Sequence, residues 1–129
     1  MKKAINIIII VVFLIAICAV EQVLSTKYLK EVEARVDGIY ETFAALENIN
    51  NTKLISEMSE LENFWTAKEN VLCNFVNHKD IEDIGVEINK LHSAINQNDK
   101  KQFSQSLNLI KFYLDAYTHI LGISVQNTF

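Results

Sequence analysis

Residues 81–95 read Ile-Glu-Asp-Ile-Gly-Val-Glu-Ile-Asn-Lys-Leu-His-Ser-Ala-Ile, with Ile81, Ile84, Ile88, Leu91 and Ile95 spaced three, four, three and four apart. An α-helix turns once in 3.6 residues, so this spacing lines one face with aliphatic side chains. A half-buried strand would alternate every second residue, and no stretch of this chain does so for more than a few positions. Residues 81–95 therefore predict an amphipathic helix that needs partners to cover one side.

The same rhythm extends in both directions. Upstream it passes through Leu29, Val32, Val36, Ile39, Phe43 and Leu46, then through Leu54, Met58, Leu61, Trp65, Leu72 and Phe75. Downstream it passes through Phe103, Leu107, Ile110, Leu114, Tyr117 and Leu121. The chain has no proline and only 3 glycines, so little interrupts long helices. Gly38 inside the first helix costs about 1 kcal/mol relative to alanine, and close packing is expected there.

Polar joints separate the stripes. Asn48–Thr52 ends the first, with Asn51 or Thr52 as the cap of the second. Asn96-Gln97-Asn98 ends the third, and Asp99 with Gln102 reads as a capping box opening the fourth. Gly122 follows Leu121, where a helix commonly stops. A shift of 49 residues superposes Leu54 on Phe103, Met58 on Leu107, Leu61 on Ile110 and Trp65 on Leu114, and it also superposes the joints 47–53 and 96–102. The expected fold is all-α: an N-terminal transmembrane helix continuous with an up-down four-helix bundle made of two tandem helical hairpins. The expected divisions are an anchor at 1–24, a bundle at 25–122 and a C-terminal tail at 123–129.

The anchor is read from residues 4–20, Ala-Ile-Asn-Ile-Ile-Ile-Ile-Val-Val-Phe-Leu-Ile-Ala-Ile-Cys-Ala-Val, where Asn6 is the only polar side chain. Its aliphatic and aromatic residues favour insertion by an estimated sum of about 4–7 kcal/mol, which outweighs one asparagine near the edge. Ala16-Ile17-Cys18 also resembles a signal-peptidase site, and Cys18 a lipobox cysteine. The helical pattern runs on through Lys27-Tyr28-Leu29 without a breaker, and Ile17 stands where a lipobox wants a small residue. Both features favour an uncleaved, single-pass anchor. A short tail carrying Lys2 and Lys3 predicts the N-terminus inside and the bundle outside the cytoplasm.

Charge narrows the function classes. From Ser25 onward 10 Lys and Arg stand against 15 Asp and Glu, a net of −5. Phosphate backbones require clustered cations, so no nucleic-acid partner is expected. The partners expected are the lipid bilayer and another membrane or envelope protein, with a homo-oligomer open because the 3-4 spacing also suits a coiled coil.

One cluster invites a chemical reading: His78 lies beside Asp80, Glu82 and Asp83 at the joint between the second and third stripes. Acids in the first turn of a helix complement its dipole, and Asn77 or Asp80 can cap it. Zinc needs three or four ligands at fixed spacings, yet His78, His92 and His119 form no H-x-x-x-H, C-x-x-C or E-x-x-H arrangement. No cofactor, metal site or catalytic residue is expected, and the chain is not expected to be an enzyme.

Several of these stretches resemble a known family. The Lys2-Lys3 start, the single apolar helix, Trp65, the joint Asn77-His78-Lys79-Asp80-Ile81-Glu82 and the closing Gln126-Asn127-Thr128-Phe129 resemble the domain-of-unknown-function family numbered 4363. Thr128 departs from the aliphatic residue expected in that closing segment. The resemblance implies a short bacterial membrane protein with a helical domain, and it carries no catalytic residues over. Trp65, His78, Asp80, Asn127 and Phe129 are the candidate partner-binding or structural residues. The expected function is a non-enzymatic interaction module. The alternative is an extracytoplasmic sensor or small-ligand bundle acting through a partner, with a ligand held near Trp65, Tyr113 and Tyr117.

Overall fold

A computed structural model describes the backbone of residues 1–128 and their side chains apart from those of Phe75 and 118–128. The helices are α1 (Lys2–Ala44), α2 (Thr52–Phe75), α3 (His78–Asn96) and α4 (Lys100–Thr128). α1 packs on α2 and α4, α2 on α3, and α3 on α4, whereas among the described residues the backbones of neither diagonal pair come close. This closed ring of sequential neighbours is an up-down bundle of two hairpins. Side-chain pairs confirm the directions. Thr42 bonds Glu57 at 2.9 Å while Tyr28, earlier on α1, meets Phe64, later on α2. Phe43 packs on Phe103 at 4.9 Å between centroids, and Asp37 pairs with Lys111 at 3.3 Å.

The stripes point inward. Leu29, Val32, Val36 and Ile39 of α1 meet Leu54, Leu61, Trp65 and Leu72 of α2, Ile81, Ile84 and Leu91 of α3, and Phe103, Leu107, Ile110 and Leu114 of α4 in one core. Ile49 is buried as well. It lies in the joint that interrupts the first stripe, where it plugs the end of the core.

α1 has two environments along its 43 residues. Ser25 is its first buried residue, and beyond it the helix is part of the core. The apolar stretch before it is long enough to cross a membrane, and the bundle covers none of it. At 1.5 Å per residue the whole helix extends about 64 Å.

The caps resolve the alternatives left by the sequence. The Asn51 side chain accepts from the Lys53 amide at 2.9 Å, and Asn77 accepts from the Lys79 amide at 3.0 Å. The Asp99 carboxylate accepts from the Gln102 backbone N–H at 3.0 Å, but the reciprocal half of the capping box is absent because the Asp99 N–H already donates to the Ala94 carbonyl at 2.8 Å. The Gln102 side-chain nitrogen donates instead to the hydroxyl of the buried Ser106 at 2.8 Å, which supplies that hydroxyl with a partner. The expected stop at Gly122 is also corrected, since α4 continues to Thr128. One glycine costs a helix only about 1 kcal/mol, and no proline follows to end it.

The close packing expected at Gly38 is found at Gly85 instead. A Cβ on Gly38 would meet nothing within 4 Å, because Val36 and Ile39 face the core and Gly38 does not. A Cβ on Gly85 would lie 3.1 Å from the Trp65 indole nitrogen. Gly38→Ala should therefore stabilise the bundle by up to about 1 kcal/mol through helix propensity alone. Urea unfolding followed by circular dichroism checks this, and a loss of stability would show that α1 is closely approached there.

Candidate functional site

The described residues among those nominated from sequence lie in different surroundings. Trp65 is 4% exposed in the core, and its indole N–H finds no partner among the described residues. His78 is the first residue of α3; its side chain is exposed and bonds to no described residue. Asp80 lies in the first turn of α3, close to the Tyr117 hydroxyl of α4. Burial, Asp80 and the nearby Asp83 raise the Tyr117 pKa above that of a free phenol. The side chains of Asn127 and Phe129 lie outside the described residues. Tyr113 and Tyr117 stack at 6.5 Å, one turn apart, and both are half-buried.

A second acidic group lies on the α1–α4 seam and was not singled out from sequence. Glu33 of α1 lies beside Asp115 of α4, with Asp37 nearby and Lys111 offsetting part of the charge. Burial first, then Asp115 and Asp37, raise the Glu33 pKa from its ordinary 4.5. A carboxyl with a raised folded value is protonated more readily in the folded than in the unfolded chain. Its favourable contribution is full below about pH 4.5 and fades as pH rises through the folded value. Glu33→Gln is expected to stabilise the protein at pH 7 by a few tenths of a kcal/mol, because it removes a like charge from the seam. That gain should shrink to nothing as the pH falls below the ordinary carboxyl value, and denaturant midpoints between acid and neutral pH provide the check.

The end of the bundle opposite the apolar part of α1 carries a cleft of about 290 Å³. Asn48 and Asn50 come from the α1–α2 joint, and Asn96 and Asn98 from the end of α3 and the joint after it. Ser59 and His92 add polar groups, while Ile55, Met58 and Ile95 add apolar surface. His92 Nδ1 lies 2.8 Å from Glu62. The Asn50 amide donates to Asn48 Oδ1 at 3.0 Å, and Asn98 adopts a positive φ of 54°. Lys100 bonds the Leu46 carbonyl at 3.3 Å, tying the two joints together. The available signal for this site was the superposition of the two polar joints. An up-down bundle necessarily brings its first and third joints to the same end.

The outer face of α4 presents Leu109 and Phe112, the latter 67% exposed. Lys111 between them lies 4.5 Å from the Tyr40 ring, and Tyr40 is itself exposed. Of the two adjacent aromatic pairs, Trp65 and Tyr113 turn toward the core while Phe64 is half-buried and Phe112 points out.

No group of three or more His, Cys, Asp or Glu side chains positioned to hold a metal ion occurs among the described residues. A family model described as Domain of unknown function (DUF4363) matches residues 23–128, which takes in the whole bundle and begins after the apolar run. No curated protein and no solved structure matches the chain.

Proposed function

The chain belongs to the DUF4363 family, and from that premise we propose that it is a membrane-anchored, non-enzymatic interaction module whose bundle engages another membrane or envelope protein. One observation carries the reading: a single unbroken helix is bare and apolar over its first half and a core element of the bundle over its second. A rod of this kind holds the bundle at the bilayer surface in a fixed attitude, which lowers the entropy lost when a neighbour in the same membrane docks. Trp65 is enclosed in the core while His78 is exposed at the start of α3, which favours binding over catalysis, since chemistry needs groups that converge on one point. The N-terminus lies inside and the bundle outside the cytoplasm, in keeping with the cations Lys2 and Lys3 ahead of the apolar run.

The partner surface is the α4 outer face around Leu109 and Phe112 with Tyr40 of α1, because exposed aromatics next to a cation resemble the anchors of protein interfaces. A photoreactive amino acid at position 109 or 112, activated in native membranes, should yield the same protein adduct. The same group at Ser59, on another face, should not. Adducts of lipid and self alone from positions 109 and 112 would remove the proposal.

A further inference from the structure

We propose that the cleft between the two asparagine-rich joints binds a small, uncharged, polyhydroxylated ligand about the size of one sugar ring. Its volume of about 290 Å³ lies at the lower limit of the roughly 300–1,000 Å³ found for ligand sites, which restricts the occupant to one small ring.

The lining determines the chemistry. Asn48, Asn50, Asn96 and Asn98 each offer two donors and an acceptor, and Ser59 offers one of each kind. Hydroxyl groups, which both donate and accept, match that mixture at any orientation. No lysine, arginine, aspartate or glutamate lines the cleft, so a charged ligand would give up its hydration without gaining a countercharge. A wholly apolar ligand would leave the amides without partners. Ile55, Met58 and Ile95 supply an apolar floor suited to the C–H face of a saturated ring. A peptide backbone fits less well, because it asks for an edge of alternating main-chain groups and this bowl presents side-chain amides from separate segments.

The site is also held in place before any ligand arrives. The Asn98 and Asp99 amides donate to the carbonyls of Ile95 at 3.1 Å and Ala94 at 2.8 Å, which fixes the turn that carries Asn98. Glu62 engages His92 Nδ1, leaving the other ring nitrogen for a ligand. Such bonds reduce the ordering cost of binding.

The experiment uses the full chain in a detergent without a sugar head group. Saturation-transfer NMR is recorded with glucose, N-acetylglucosamine, maltotriose and, as the contrasting probe, glycylglycine. Binding of the sugars but not of the dipeptide is expected. Tighter binding of maltotriose than of glucose identifies the end of a glycan chain as the occupant, and equal binding identifies a free sugar. Asn98→Gly keeps the positive φ and removes one amide, so it should weaken binding about 5- to 10-fold. Asn96→Leu keeps the branched shape of the side chain and removes its donors and acceptor, so it should weaken binding to a similar extent, while Asn108→Ala on the outer face of α4 should leave it unchanged. Melting curves establish that each variant is folded, and Asn98→Gly alone suffices if Asn96→Leu is not. No transfer from any sugar at roughly 20 mM, transfer from glycylglycine alone, or sugar binding unaffected by Asn98→Gly would overturn the proposal.

Discussion

Trp65→Ala is expected to lower the unfolding free energy by about 3–5 kcal/mol, a large share of the roughly 5–15 kcal/mol that keeps a domain folded. The indole is almost wholly buried among residues of the single core, so its removal leaves a cavity that rigid helices cannot close. Trp65→Phe should cost less, about 1–2 kcal/mol, because it retains a ring and removes a buried N–H that has no described partner. The contact with Gly85 sharpens the test. In the native background a methyl at position 85 presses on the indole nitrogen at 3.1 Å, which offsets the helix-propensity gain of Gly85→Ala. In the Trp65→Phe background that nitrogen is gone, and Gly85→Ala should become stabilising. The double-mutant cycle should return a coupling of about 1 kcal/mol or more. Additive effects in urea melts would mean that the two residues do not touch.

The second large effect concerns α1. Ile10→Arg combined with Leu14→Arg replaces two residues that favour insertion with two that each oppose it by about 2.5–3.5 kcal/mol, a swing of roughly 6–8 kcal/mol. That matches or exceeds the whole insertion energy of the apolar run. The double variant should move from the membrane pellet to the soluble fraction on centrifugation. Its bundle should melt as before, since the altered segment covers none of the core. Retention after an alkaline wash, which strips peripheral proteins, would indicate that the altered helix still spans the membrane and would sink this prediction. A bundle that unfolds would mean that residues 4–20 support the core.

Much of the fold was legible because its signals are local. The stripe of α2 is buried from Leu54 to Leu72 and that of α4 from Phe103 to Leu114, and the shift of 49 pairs buried positions: Leu54 with Phe103, Met58 with Leu107, Leu61 with Ile110, Trp65 with Leu114. The matching of α1 to α3 is looser. Val32 and Ile81, and Ile39 and Ile88, are buried in both, but Val36 corresponds to Gly85 and Phe43 to the exposed His92. Those two departures from the repeat have particular uses. Gly85 yields space to Trp65, and His92 turns outward to the cleft and Glu62.

The candidate residues were less legible. Trp65 stood both in the α2 stripe and among the candidate residues, and it is buried in the core; His78 was singled out for its neighbours and is the exposed first residue of a helix capped by Asn77, one of the two caps expected. The amides of the cleft drew no attention because, one by one, they are ordinary turn residues.

Helix periodicity, caps and the apolar N-terminal run depend on residues within a turn or two of one another, so the order of the chain alone determined them. The burial of Ile49, the Gly85–Trp65 contact, the Glu33–Asp115 pair and the gathering of two joints around one cleft depend on residues tens of positions apart. Only the packing of four helices into a ring decides which of those meet, because their separation in space is a property of the whole arrangement and leaves no trace in any single segment.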